Sequence, residues 1–447
     1  MSALATALVS AALAAASPAP EARNPRLEAL AAAVDPARLQ ATVARLVAFG
    51  TRHTLSDTAS ATRGIGAARR WLAAEFAALA KLPGGRLVPF EDRFVAAPEK
   101  RIPSPTEIVN IGAVLPGTDP RRAKEALVVT GHYDSRASDV MDARSDAPGA
   151  NDDASGTAMV LELARVMARE KPAIAIYLVA VAGEEQGLTG SAHLAKRLAA
   201  EGVRVLAMTS IDIAGNSEGQ DGVQDDVSAR LFSEGVPSHE TDAERRLREA
   251  IGGENDGAAR EWSRYVKRVA ERHVEHLDLW VMLRRDRVGR GSDQLSFLAA
   301  GMPAIRLSEA HEHYDRQHQD VRTVGGRAYG DDLAHFDATY AARLARGLGV
   351  AMAALASAPA APRELTLRGA VSVDTVLRPA LPDDPRIAGL VLYRRRADAV
   401  TWQRATAYPK VSEISLPGVV SDNEVFAVAT ADAEGNESLP VHPTRLE

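Results

Sequence analysis

Between residues 25 and 80, Leu27, Leu30, Val34, Leu39, Val43 and Leu46 recur at helical spacing, and a second such run surrounds Trp71, Leu72 and Phe76. Past Lys81 the pattern changes. Stretches 86–94, 108–115 and 127–130 read as strands, divided by the turn formers Pro83-Gly84-Gly85 and Pro116-Gly117. From Asp153 onward, helical segments (153–169, 187–200, 293–300 and 331–356) alternate with apolar runs. Those runs are Ile174–Ala182, Val205–Ile213, 279–283 and 304–307. A strand with no polar face is buried on both sides. The alternation therefore predicts an α/β domain over residues 25–357, with a mostly parallel mixed sheet and helices on both faces. Ligands of such sheets meet the carboxyl ends of the strands.

Two stretches break the rhythm. Ser217–His276 is acidic at first, then helical near residues 245–251 and 260–274, and reads as an insertion that could act as a lid or specificity element. Residues 358–363 (APAAPR) read as a linker. Beyond it, residues 364–447 carry short β-rich runs with turns between them, the spacing of a small all-β sandwich. Trp402, then Val425-Phe426-Ala427-Val428 and Asp432-Ala433-Glu434-Gly435-Asn436, resemble a fibronectin type III module. At the other end, Ala3–Ala16 is an apolar, small-residue run followed by Ser17-Pro18-Ala19-Pro20. It is too short to span a bilayer, which takes about 20 residues. Residues 1–22 therefore read as a secretory signal, with a periplasmic or secreted destination expected, although no Lys or Arg precedes the run.

Composition narrows the chemistry. The 447 residues carry a net charge of −6, so no global basic footprint for nucleic acid is expected, and no other run approaches membrane-spanning length. There is no cysteine, which removes disulfides, thiolate metal sites and cysteine nucleophiles together. Any metal must be held by His, Asp and Glu.

Five segments place such residues where an apolar run gives way to a loop. In Gly131-His132-Tyr133-Asp134 an imidazole could ligate metal while the nearby acid fixes its tautomer, and a structural His fits the same segment. In Gly149–Gly156 the pair Asp152-Asp153 could cap a helix or bridge metals. Glu184-Glu185 directly follows a fully apolar run, where repulsion and desolvation oppose two acids unless cations are present. Asp212 is a lone acid in an apolar strand that needs a partner, either a metal or an arginine. The fifth segment, Glu309–Asp320, holds His311, His313 and His318. His318 is taken as the ligand and the other two as rim residues.

In order and spacing, GHYDS, GANDDASG and GEEQGLTGS resemble the co-catalytic zinc exopeptidases of the bacterial leucyl aminopeptidase and aminopeptidase Y type. Gly291-Ser292-Asp293 and Gly301-Met302-Pro303-Ala304 add support, and the resemblance covers about residues 28–357. It implies two Zn2+ per chain: one on His132 and Asp212, one on Glu185 and His318, with Asp152 bridging. It further implies Glu184 as general base, Asp134 orienting His132, and a cis peptide between Asp152 and Asp153. The sequence departs from the family where Gln317 precedes His318, a place often held by tyrosine, for which Tyr314 is a substitute. The implied activity is an aminopeptidase acting on peptides with a free N-terminus through a metal-activated water. Its relatives leave a carboxypeptidase, with Arg284, Arg285 or Arg316 as carboxylate partners, or a one-zinc glutaminyl cyclase. A non-catalytic binding module on the same fold is the remaining alternative.

Overall fold

The computed structural model describes residues 23–447, so the apolar run at 3–16 lies outside the described residues. Helices α1 (Pro25–Ala32) and α2 (Pro36–Val47) start the same way. Asn24 and Asp35 each accept a backbone N–H two residues on, with proline at the first helical position. Helix α3 (Gly64–Ala80) follows, and the segment between α2 and α3 is not helical. That segment turns inward with Arg52 and His53 fully buried, a departure from the continuous helical reading that matters at the site.

The main sheet has eight strands. Five of them are β1 (Val88–Ala96), β2 (Thr106–Leu115), β3 (Glu125–His132), β4 (Ala175–Val181) and β5 (Arg204–Ile211), with α4 (Ser155–Met167) and α5 (Thr189–Ala200) between them. Next come β6 (Ser228–Ser233), α6 (Asp242–Ile251), α7 (Ala258–His273), β7 (Asp278–Met282), α8 (Gln294–Ala299) and β8 (Ala304–Glu309). A short hairpin, β9 (Arg322–Val324) and β10 (Arg327–Tyr329), precedes the long helix α9 (Ala338–Ser357).

The strand order is β1-β2-β4-β3-β5-β8-β6-β7. The central strands β4, β3, β5 and β8 are parallel, while β1, β2 and β6 contribute the antiparallel pairings. Val128, Val129, Leu178, Val179, Ala180 and Met208 are all buried, as strands covered on both faces require. The carboxyl ends of β3, β4, β5 and β8 therefore open at one edge, where the direction of chain progression reverses.

The stretch 217–276 is built in two parts. Strand β6 pairs with β8 and β7 inside the main sheet, and α7 packs against α9 with Trp262, Tyr265 and Val266 buried. Only α6, which buries none of its residues, stands outside the core. The insertion expected from the sequence is thus largely sheet and core, because β6 supplies the β-ladder partner that β8 would otherwise lack on that side.

Beyond α9, strands β11 (Glu364–Arg368), β12 (Thr375–Ala380), β13 (Gly389–Arg396), β14 (Arg404–Pro409), β15 (Ile414–Leu416), β16 (Glu424–Ala431) and β17 (Arg445–Leu446) form two small sheets. Leu365, Leu377, Leu390, Leu392, Phe426 and Val428 fill the space between them. This module is held on α7 by polar contacts. Trp402 Nε1 donates to Glu261 Oε2 at 3.0 Å, His442 Nε2 lies 3.1 Å from Glu261 Oε1, and Tyr265 donates to the Glu437 carbonyl at 3.0 Å. Arg264 pairs with both Asp256 and Glu261, and Arg395 with Asp256.

Burial opposes ionisation of Glu261, but Arg264 and His442 outweigh it and hold the carboxyl at about 2. An unfolded glutamate takes its proton near pH 4.3. The stabilisation from this group is therefore whole above that value and fades as the pH falls toward 2. Glu261→Gln should cost about 1–3 kcal/mol at neutral pH by removing one of the two acids paired with buried Arg264. The deficit in melting temperature relative to the unchanged protein should narrow steadily between roughly pH 5 and pH 2.5. A deficit that stays constant over that range would contradict the assignment.

Candidate metal centre

His132 is the last residue of β3, Glu184 and Glu185 follow β4 after a turn at Gly183, and Asp212 directly follows β5. Asp152 sits in a wide turn at 150–154 ahead of α4, where the peptide joining it to Asp153 is cis. His318 comes from the loop between β8 and the hairpin, with a φ of 49°. Six side chains from five separate segments thus converge at one sheet edge.

Five of them form two groups that share a member. His132, Asp152 and Asp212 make one, and Asp152, Glu185 and His318 the other. His132 Nε2 is 3.1 Å from Asp152 Oδ1 and 3.9 Å from Asp212 Oδ1. His318 Nε2 is 3.0 Å from Asp152 Oδ2 and 3.2 Å from Glu185 Oε1. His132 Nε2, Asp212 Oδ1 and Glu185 Oε1 are buried and make no aligned hydrogen bond, although Arg306 Nη2 stands 3.1 Å from Asp212 Oδ1. Leaving such atoms bare costs on the order of 1–3 kcal/mol each, and more for charged groups. Donors bound about 2.0–2.1 Å from a tetrahedral ion stand roughly 3.3 Å apart, close to these separations. The residues present therefore fit divalent cations, and the two Asp152 oxygens point into different groups.

The electrostatics agree. Burial alone would lower both imidazoles, but Asp152 and Asp153 hold His132 well above its usual value, and Glu185 and Asp152 hold His318 at about 10. Protons here play the part that cations would otherwise take. Glu184 is half-buried and its carboxyl is pushed up by burial, with Glu185, Asp212 and Asp293 adding to the effect. A carboxylate raised in this way holds a proton more readily than a free one, as a general base must. Asp293 is itself pushed up to about 7 by burial, with Asp134 and Asp212 contributing.

Asp134 is fully buried, but its carboxylate works differently from the expectation. The hydrogen bond to His132 Nδ1 is made by the Asp134 main-chain carbonyl at 3.1 Å, and the carboxylate stands 3.7 Å away. The carboxylate instead accepts the backbone N–H of Glu184 at 3.3 Å and of Glu185 at 3.1 Å, and the Thr54 hydroxyl at 3.1 Å. It thereby fixes the β4 turn against the β3 turn. Asp153 accepts the His132 N–H at 2.9 Å and the Gly156 N–H at 2.9 Å. A side chain at Gly156 would stand 2.3 Å from the Ile211 carbonyl oxygen, so only glycine lets the start of α4 reach β5.

Three supporting residues are not marked as functional by the sequence pattern. Asp331 accepts the backbone N–H of Asn151 at 2.9 Å and of Asp152 at 2.7 Å. Arg52 donates to the carbonyls of Tyr133 at 2.7 Å, Leu46 at 3.1 Å, Gly149 at 2.9 Å, and Pro148. Glu309 accepts from Asn151 Nδ2 at 2.9 Å and from the Asn216 N–H at 3.0 Å. Together they clamp the turn that carries Asp152. The sequence signal for Arg52 is a cation close behind an apolar helical run. Asp331 reads as the start of a helix, which in fact begins at Ala338.

The remaining candidates lie elsewhere. His311 pairs with Asp221, and His313 is outside both ligand groups. Tyr314 is 58% exposed, and no tyrosine lines the metal cleft among the described residues. Arg316 is spent on Asn216 and Glu218, while Arg284 and Arg285 do not line the cleft. A third cluster, Asp256, Glu261 and His442, has Arg264 and Arg395 already in contact with its acids, so it is an ion-pair network.

A family model described as peptidase family M28 matches residues 110–331. A probable zinc metalloprotease of Leptosphaeria maculans is 41% identical over 429 residues, covering 95% of this chain and 98% of its own length. A probable zinc metalloprotease of Pyrenophora teres f. teres is 40% identical, covering 95% of this chain and 88% of its own. Among solved structures, the Legionella pneumophila LapA aminopeptidase aligns with a TM-score of 0.51 at 18% identity, covering 75% of this chain and 76% of its own. LapB from the same organism aligns with a TM-score of 0.50 at 20% identity, covering 75% of each chain. These two show a shared fold.

Replacing the residue common to both groups, Asp152→Asn, should strip metal from both at once, read as metal per chain after dialysis. Asp331→Asn touches no ligand donor atom and should weaken metal retention by about 10- to 100-fold, measured by competition with a chromophoric chelator. Retention equal to the unchanged protein in either variant would contradict the role of the aspartate replaced.

Proposed function

The chain belongs to peptidase family M28, and we propose that it is a zinc-dependent aminopeptidase that binds two zinc ions. His132 and Asp212 would hold one ion, Glu185 and His318 the other, with Asp152 shared between them. The observation that carries this reading is the pair of donor groups meeting at Asp152, with three buried donor atoms that make no aligned hydrogen bond. Bound there, the cations would lower the pKa of a water and polarise the scissile carbonyl.

The chain's own residues supply the rest. Glu184 projects from the same turn as Glu185 and lines the cleft beside both ligand groups. It takes a proton from the attacking water as the oxygen bonds to the carbonyl carbon. It returns that proton to the amine as the C–N bond breaks. Asp134 keeps the Glu184–Glu185 turn in place through two backbone N–H groups, so the base and a ligand are positioned by one carboxylate.

The cleft measures about 350 Å3 and is bordered by the segment after β7 and by His318 ahead of the hairpin. A space of that size suits a chain end, in keeping with release of single residues from peptides with a free N-terminus. A carboxypeptidase draws support from the arginines around the cleft and would cleave N-acetylated peptides, which an aminopeptidase would not. No helix among the described residues is long and apolar enough to cross a membrane. The run at residues 3–16 supports export to the periplasm or medium, which N-terminal sequencing of the mature protein would check.

Glu184→Gln should keep its metal and lose about 10²–10⁴ in kcat on leucine p-nitroanilide. Metal analysis and steady-state rates on the same preparation check both halves, and near-normal turnover would remove Glu184 from the mechanism. Chelation should abolish the activity, and added Zn2+ should restore it.

A further inference from the structure

Strand β1 is one margin of the main sheet: β2 pairs with it on one side, and no described strand lies on the other. At nine residues it is a long open edge, on which Val88 and Val95 are 54% and 68% exposed. Such an edge offers unpaired N–H and C=O groups to any chain that can add a strand.

The register identifies the residues that offer them. The Val181 carbonyl of β4 accepts the Tyr133 N–H from the β3 side, so the even-numbered residues of β4 bond toward β2. Leu178 and Ala180 face Ala113 and Ile111, which leaves the even-numbered residues of β2 for β1, opposite Phe90, Asp92 and Phe94. The main-chain groups of Pro89, Glu91, Arg93 and Val95 therefore point outward. Proline has no N–H to give, and an outward-facing edge position is where a strand tolerates it. Among the described residues no main-chain hydrogen bond reaches these four from outside.

The strand is also nearly its own complement. Counted outward from Asp92, Glu91 mirrors Arg93, Phe90 mirrors Phe94, and Pro89 mirrors Val95. An antiparallel copy related by a two-fold axis at Asp92 would set each glutamate opposite an arginine and each phenylalanine opposite another. Centring the pair on Glu91 or on Arg93 would set like charges face to face, which disfavours those registers. In the single chain Arg93 pairs with Glu91 along the strand and stands 3.5 Å from Glu107. The Arg93 and Glu91 side chains remain 49% and 36% exposed, so both can turn to a facing strand. Asp92 is buried on the opposite face, where Asn110, His193 and Arg197 hold it at 3.0, 3.1 and 3.2 Å. The two aspartates nearest the axis are thus each compensated from within their own chain.

We propose that this edge binds a second copy of the chain through antiparallel β1–β1 pairing, merging two eight-stranded sheets into one. Glu91 and Arg93 exchange main-chain bonds with their mirror residues, and the Val95 N–H reaches the Pro89 carbonyl. That gives about six bonds in all. Val95 of each copy lies against Pro89 of the other, which covers an exposed apolar position. Charges alone would serve to keep a bare edge in solution. Their mirrored placement, together with the paired aromatics, selects a second copy over a foreign strand. The interface is small, so the dimer depends on concentration. The inference is independent of the peptidase reading.

Analytical ultracentrifugation of the full chain over about 1–300 μM should show a monomer–dimer equilibrium. Glu91→Arg leaves two arginines at positions 91 and 93, and Arg93→Glu leaves two glutamates. Each variant alone should associate at least about tenfold more weakly. An equimolar mixture of the two should recover the association, because every arginine then meets a glutamate across the axis. Contacts within one chain cannot be repaired by mixing, so the recovery is specific to this pairing. Melting temperature and metal content of each variant verify the monomers. Hydrogen exchange on the unchanged protein needs no substitution: peptides spanning residues 88–96 should exchange more slowly as concentration rises.

A chain that stays monomeric over that range overturns the proposal. So does a dimer that neither single reversal weakens, or exchange at 88–96 that does not respond to concentration. Folded variants that fail to associate when mixed overturn it as well.

Discussion

Like charges packed at one sheet edge are the constraint around which this molecule is organised. Asp152, Glu184, Glu185 and Asp212 approach one another where β3, β4 and β5 end, three of them buried and Glu184 half-buried. Repulsion and desolvation would scatter such a group unless positive charge were interleaved. Imidazoles from two elements provide part of it when protonated, which is why His132 and His318 hold their protons so firmly. Divalent cations would provide it far more effectively, and they would also satisfy buried donor atoms that make no aligned hydrogen bond.

Holding the ligands in place before any cation arrives falls to groups that never touch it. The turn carrying Asp152 is pinned through its backbone by Asp331, and from below by Arg52, which ties residues 46, 133, 148 and 149 together. Glu309, at the end of β8, reaches the same turn through Asn151. Asp134 performs the matching task for the Glu184–Glu185 turn. Main-chain contacts thus fix the positions of the two turns without drawing on the carboxylates of Asp152 and Glu185. This division explains why so many polar groups are fully buried on this side of the sheet.

Much of the architecture was legible because apolar periodicity reports burial directly. Ile174–Ala182 and Val205–Ile213 match β4 and β5 within a few residues, since a strand covered on both faces has no polar positions to blur it. The acids and imidazoles that converge at the sheet edge were legible for a related reason: such a residue at the end of an apolar run stands out. What stayed hidden depends on long-range partners. Arg52 lies in a stretch whose spacing continues a helix, and only contacts 81 to 97 residues away reveal it as a clamp. Asp331 resembled a helix cap because its donors, Asn151 and Asp152, are 180 and 179 residues distant. Strand β6 was lost inside a polar stretch because its pairing with β8 is likewise non-local.

The arginines follow the same logic at a larger radius. Cations among the donor atoms compete with metal; Arg306 sits in such contact, 3.1 Å from Asp212 Oδ1, whereas the cleft arginines are held off by main-chain carbonyls or outlying acids. Arg101 and Arg136 are held through the carbonyls of residues 185, 137 and 138, and Arg287 and Arg290 through Glu312. Once cations neutralise the inner carboxylates, those acids would no longer screen the arginines, and the positive field in the cleft would strengthen.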